Sequence, residues 1–150
     1  MSLYVLVHGA WHGGACWDRT VPLLESAGHQ VHAPSLTGLG DRAHLLGPEV
    51  GLDTHVEEVV GLILAEDLTE VILVGHSYAG MIVSAVTDRV PERISHALYV
   101  EALVPADGES AADVLPVYQA EFMIQLAESS GDGWRIPPLP ELPPPAGLFG

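Results

Sequence analysis

At 150 residues with 48% hydrophobic content, the chain is long enough to bury one sizeable core, and its composition excludes a disordered coil. Twenty Asp and Glu against five Arg and no Lys give a formal charge of −15, which repels nucleic acid and acidic membrane surfaces. The missing lysines also exclude Schiff-base lysine chemistry, pyridoxal phosphate attachment and a P-loop. No apolar run approaches the ~20 residues that span a bilayer. The first residues carry no basic region and no long apolar stretch, so a cytoplasmic site is expected. Cys16 stands alone and can form no internal disulfide; a small buried hydrophobe is the expected role.

The first predicted element is a strand over Leu3 to Val7, a near-continuous apolar run of the kind buried on both faces of a parallel sheet. It ends in His8-Gly9-Ala10-Trp11-His12-Gly13-Gly14, where three glycines in six residues forbid a helix and permit close backbone approach to a ligand. His8 and His12 have i, i+4 spacing, but without a helix or a carboxylate motif they make no metal pair; hydrogen bonding that shapes the loop is expected instead. No metal or other cofactor is expected.

A helix is predicted from Trp17 to Ala27, with Pro22 in its first turn and Gly28 as its stop. Val31 to Ala33 reads as a second strand, and Pro34 to Asp41 as a loop at the strand-end face. Thr54-His55-Val56-Glu57 reads as a capping box opening a helix whose Val56, Val59, Val60, Ile63 and Leu64 form a core stripe.

Val71-Ile72-Leu73-Val74 is an all-apolar strand that runs into Gly75-His76-Ser77-Tyr78-Ala79, with a helix-compatible segment directly after it. This is the nucleophile-elbow pattern: a serine on a sharp strand-to-helix turn, with small residues two before and two after it. The turn lifts the Ser77 hydroxyl above the sheet, and the following helix start aims N–H groups and a positive dipole end at any negative charge nearby. The glycine-rich loop then reads as an oxyanion loop, with a backbone N–H near Ala10 joining that of Tyr78. Neither residue offers a shared side-chain donor, so the hole is expected to be main chain. Gly9 and Trp11 of the same loop are expected to line the substrate pocket.

The helix after Ser77 is predicted to stop before Pro91, and Ala97 to Val104 to form a fourth strand interrupted by Glu101. Strands alternating with helices imply right-handed crossovers and a doubly wound, mostly parallel sheet with helices on both faces, binding ligands at the carboxyl ends of its strands. Beyond Pro105 the alternation stops. Ser110 to Asp113 can cap a helix carrying Val114, Tyr118, Phe122 and Leu126 at helical spacing, either a lid over the strand ends or a peripheral packing helix. Six prolines between 137 and 145 predict an extended segment.

Three runs, Val5 to Gly14, Ser35 to Gly40 and Val74 to Met81, together resemble α/β-hydrolases of the plant methylesterase and hydroxynitrile lyase branch and their bacterial esterase relatives. The resemblance covers about residues 3 to 105 and implies the α/β-hydrolase fold, with 1–105 as the front part of the core and 106–150 as the start of a helical lid. It implies Ser77 as nucleophile, the Ala10 and Tyr78 amides as oxyanion hole, and a small-molecule ester as substrate. Ala79 stands where many members carry Gly, and keeps the required small size.

The family's acid and histidine follow the nucleophile in the chain. Here the only later imidazole is His96, expected near the start of the fourth strand and far below the site. Glu101 is a candidate acid near the right end of that strand. The chain therefore looks like the front part of a longer hydrolase, with its catalytic histidine expected beyond Gly150. Ending at Gly150 would make the fourth strand a sheet edge, so that aggregation, a homodimer through that edge, or a chain inactive as an esterase is expected. Two other readings stand beside the esterase: carbon–carbon lyase chemistry on a cyanohydrin, and a non-catalytic binding module that has lost its base. The lyases carry a hydroxyl side chain where this loop has Gly9-Ala10, which disfavours them.

Overall fold

The computed structural model describes residues 1–137. Four strands, β1 (Leu3–Val7), β2 (Gln30–His32), β3 (Val71–His76) and β4 (Ile94–Val100), form one sheet in the order β2-β1-β3-β4. All three pairings are parallel. The helices are α1 (Thr20–Ser26), α2 (Leu52–Ala65), α3 (Ala79–Arg89), α4 (Ala111–Val114) and α5 (Val117–Ser130). This is the doubly wound α/β arrangement expected from the alternation of strands and helices.

The core lies between the sheet and two helices. Val5 and Val7 of β1 and Val71 and Leu73 of β3 alternate onto one face, where they meet Val56, Val59, Val60 and Ile63 of α2 and Ile82, Val83 and Val86 of α3. Each such side chain removed from water contributes about 1.5–3 kcal/mol. Leu6 and Val74 point to the other face and are buried as well, as a central parallel strand requires.

Several boundaries differ from the predicted ones. The helix expected from Trp17 begins at Thr20, after a short 3-10 turn over Gly14–Trp17. It ends where Gly28 adopts φ +90°, and the His29 N–H caps the Leu24 carbonyl at 3.0 Å. β2 begins at Gln30, one residue early. α2 is capped by Gly51, and Thr54 stands in the first turn with its hydroxyl accepting the Gly51 N–H at 3.1 Å, so Thr54 supports the cap without being it. Leu64 is 48% exposed; at 100° per residue it lies about 90° from the centre of the stripe formed by the four buried positions.

The fourth strand runs three residues earlier at its start and four earlier at its end than expected. An edge strand tolerates polar residues, so Ser95 and His96 belong to it, with the Ser95 hydroxyl bonded to the Glu70 and Val71 carbonyls at 3.2 Å. It stops because Glu101 turns into positive φ (45°). The predicted helix from Ser110 is likewise split in two. Ser110 does cap α4, accepting the Asp113 N–H, but Leu115 is extended ahead of Pro116 and the helix restarts at Val117. The proline-rich segment lies outside the described residues, Pro137 excepted.

Candidate active site

Between the last residue of β3 and the first of α3 only Ser77 and Tyr78 make the turn, and Ser77 holds φ +55°. A non-glycine residue in that region is strained, and its surroundings must hold it there. Three backbone hydrogen bonds do so. The Ser77 N–H donates to the Val100 carbonyl at 3.3 Å, and the Ser77 carbonyl accepts the N–H of Gly80 at 3.1 Å and of Leu103 at 3.0 Å. The turn is also sterically closed. A Cβ on Gly75 would stand 2.5 Å from Val83 Cγ2 and 2.8 Å from the Ala79 carbonyl oxygen, and one on Gly80 would stand 2.0 Å from the Leu103 carbonyl oxygen.

The glycine-rich loop lies directly against this turn. A Cβ on Gly9 would be 3.1 Å from Ser77 Cβ and 3.2 Å from the His76 carbonyl oxygen, so the residue before Ala10 passes the serine at backbone range. Trp11 then takes φ +64°. Among the described residues no backbone carbonyl takes the amide of Ala10 or of Tyr78.

His8 fixes the loop from beneath. Its Nδ1 is 2.9 Å from the Gly9 carbonyl and its Nε2 is 3.0 Å from the Leu36 amide. A carbonyl can only accept and an amide only donate, so Nδ1 carries the proton and the ring is neutral. Burial agrees, pushing the His8 pKa below its ordinary value against a smaller opposing effect of the Gly9 hydrogen bond. The loop-shaping role expected of His8 is therefore found. His12 lies beside His76, with ring centroids 6.3 Å apart.

A polar string that no sequence pattern marks crosses the site. His55 of α2, almost fully buried, places Nε2 3.0 Å from the Thr37 carbonyl and Nδ1 2.9 Å from the Tyr78 hydroxyl. Thr37 in turn gives its amide to the Glu58 carboxylate at 3.1 Å, and its hydroxyl bonds the same group. Arg42 reaches both Glu58 and the Ser35 carbonyl. Spacing alone could mark the α2 stripe but not which polar residue on its margin meets which loop.

Ala10, Trp11, Ser77 and Tyr78 share one cavity of about 620 Å3. Its walls are mainly apolar and include Leu39, Leu46, Leu103, Leu115, Met123 and Trp134. The Trp11 indole N–H donates to the Ile136 carbonyl at 2.9 Å, joining the glycine-rich loop to the segment after α5. Gly9 stands behind the cavity rather than among its lining residues.

The remaining candidates do not line this cavity. His96 pairs in register with Ile72 and Val100 with His76, which puts His96 about 13 Å below the strand ends at ~3.3 Å per residue. Glu101 follows β4 instead of ending it, is exposed, and raises the pKa of His76 against the stronger lowering by burial and by His12. Cys16 is half-buried, and burial pushes its thiol up to about 11, so it is a poor nucleophile. Among the described residues no three His, Cys, Asp or Glu side chains are grouped to hold a metal ion, and no helix is long and apolar enough to cross a membrane.

Comparison with known proteins gives this geometry its setting. The family model described as "Alpha/beta hydrolase family" matches residues 4–150. The carbendazim hydrolyzing esterase of Nocardioides sp. (strain SG-4G) is 51% identical over 116 residues, which are 77% of this chain and 48% of that protein. Methylesterase 1 of Arabidopsis thaliana is 35% identical over 75% of this chain and 43% of its own length. Among solved structures, an extracellular alpha/beta-hydrolase from a Paenibacillus species superposes with a TM-score of 0.81 at 34% identity, covering 87% of this chain and 53% of that one. The chain thus spans about half the length of the relatives it matches. With a parallel sheet, a strained serine at a strand-to-helix turn and a matching family model over nearly its whole length, this chain belongs to the alpha/beta hydrolase family.

Proposed function

We propose that the protein hydrolyses carboxylic esters of small molecules, with Ser77 as nucleophile and the amides of Ala10 and Tyr78 as oxyanion hole. The observation that carries this reading is Ser77 at φ +55° facing the cavity that Ala10 and Tyr78 also line. Ser77 Oγ attacks the ester carbonyl and gives up its proton to a base. The carbonyl electron pair moves onto oxygen, where the two N–H groups receive it. Collapse expels the alcohol, which takes the proton back, and water then releases the carboxylate from the acyl-enzyme by the same two steps.

In the family the histidine follows the nucleophile in the chain, and the only described imidazole after Ser77 is His96, which lies far below the site; His8 and His55 are each committed on both nitrogens. We assign the base to a residue outside those described. Residues 106–137 act as a lid in this reading, supported by Leu115, Met123 and Trp134 lining the cavity. Several relatives bear esterase or hydrolase names, including the carbendazim hydrolyzing esterase and a pyrethroid hydrolase of Sphingobium wenxiniae.

Replacing Ser77 by Ala tests the assignment. Hydrolysis of a short activated ester should fall by several orders of magnitude in kcat with the fold intact. An alanine variant keeping more than about a tenth of the wild-type rate, as read by that same comparison of rates, would overturn it.

A further inference from the structure

The amide proposed to hold the oxyanion belongs to a residue whose side chain is tied down at its far end. Tyr78 is partly buried, and this burial raises its pKa, so its hydroxyl keeps its proton and can donate. The acceptor is fixed by elimination. His55 Nε2 faces the Thr37 carbonyl, which can only accept, so in the neutral ring Nε2 carries the proton and Nδ1 offers a lone pair to the tyrosine. The two rings also meet edge to face, 5.8 Å apart at 79°. The string therefore has one direction, from Tyr78 O–H to His55 Nδ1 and from His55 Nε2–H to the Thr37 carbonyl, and Thr37 is itself held by Glu58.

Ser77 and Tyr78 share one peptide unit, so the tilt of the Tyr78 amide follows from how its side chain is seated. That seat is on α2 and on the 35–42 loop, neither of which supplies a reacting group in the proposed chemistry. We propose that His55 is a positioning residue of the ester-hydrolysing site: it anchors the Tyr78 hydroxyl so that the Tyr78 amide points at the developing oxyanion. This inference rests on the function proposed above. An oxyanion donor contributes in the transition state and not in the ground state, so a misplaced amide lowers kcat and leaves KM in place.

Steady-state kinetics on a neutral p-nitrophenyl ester, with a melting temperature taken for each variant, test it. Tyr78→Phe and His55→Leu should each lower kcat about tenfold with KM nearly unchanged, and the double variant should be no slower than either alone. His55→Asn places an amide oxygen near the position of Nδ1 and should recover most of the rate. His55→Gln reaches only toward Thr37 and should not. Single variants at wild-type kcat, effects that multiply in the double variant, or changes confined to KM would each overturn the inference. If His55→Leu does not fold, Tyr78→Phe carries the test by the same criterion of kcat against KM. A wild type without esterase activity would overturn the functional reading itself, a result separate from a wild-type-like Tyr78→Phe in an active enzyme.

Discussion

In the backbone turn beneath Ser77 there is no room for one more carbon atom: a methyl on Gly80 would stand 2.0 Å from a backbone oxygen, and Ala79 and Ile82 are fully buried. Forty residues later, on α5, Val117 and Tyr118 leave 72% and 70% of their surfaces in solvent, and Ala127 is the helix's one buried residue. Both regions contribute to the cavity, through Ser77 and Tyr78 and through Met123 of α5. In the proposed reading the difference separates two tasks. Attack on a carbonyl needs atoms held to a fraction of an ångström, and closed packing with hydrogen-bonded backbone supplies that. Admitting and enclosing a substrate needs a wall that can give way, and few buried contacts supply that.

Mutations can break this contrast. The largest effect is expected at Gly80. Gly80→Ala forces the added methyl into the Leu103 carbonyl and should cost about 3 kcal/mol of stability, read as a lowered midpoint in urea. It should cut kcat as well, since Leu103 and Gly80 both bond the Ser77 carbonyl. A variant with wild-type stability would show that the turn is looser than its geometry implies.

Trp11→Phe gives a smaller effect of a different kind. It removes the indole N–H that bonds Ile136 and keeps an aromatic ring, so only the tie between the two regions is lost. One exposed hydrogen bond is worth about 1 kcal/mol, and KM should rise several-fold while kcat holds. A fall in kcat with constant KM would place Trp11 with the rigid region instead.

The smallest effect is a pH dependence of stability. His8 is neutral in the fold, with its pKa lowered by burial from the ordinary 6.5. A lowered histidine pKa contributes stability that is complete above the unfolded-state value and is lost as pH falls from about 6.5 toward the folded-state value. Wild-type melting temperature should therefore drop on acidification through that window, and the gap between wild type and a non-titrating His8→Gln variant should narrow. A gap that widens would mean that charged His8 is stabilised by the fold.

The same contrast explains what could be read from the sequence. β1, β3 and the turn at Ser77 were legible because continuous apolar runs and closely set small residues reflect burial and backbone contact directly. The start of β4 was not, because an edge strand accepts Ser95 and His96, and its end was set by Glu101 entering positive φ to deliver the Leu103 amide to Ser77. Val114, Tyr118, Phe122 and Leu126 kept helical spacing across a break that Pro116 imposes. His55, Thr37 and Glu58 were invisible because their partners are 18 or more residues away in the chain and nothing local distinguishes them.

The assignment of Ser77 is tested most directly by covalent capture. A fluorophosphonate reacts with a serine only where a base and an oxyanion hole activate it. Treatment of the active protein followed by peptide mass mapping should place a single adduct on Ser77, with hydrolysis lost in proportion to labelling and no labelling of Ser77→Ala. Complete inactivation with the adduct on another residue, or full labelling of Ser77 with hydrolysis intact, would contradict the account.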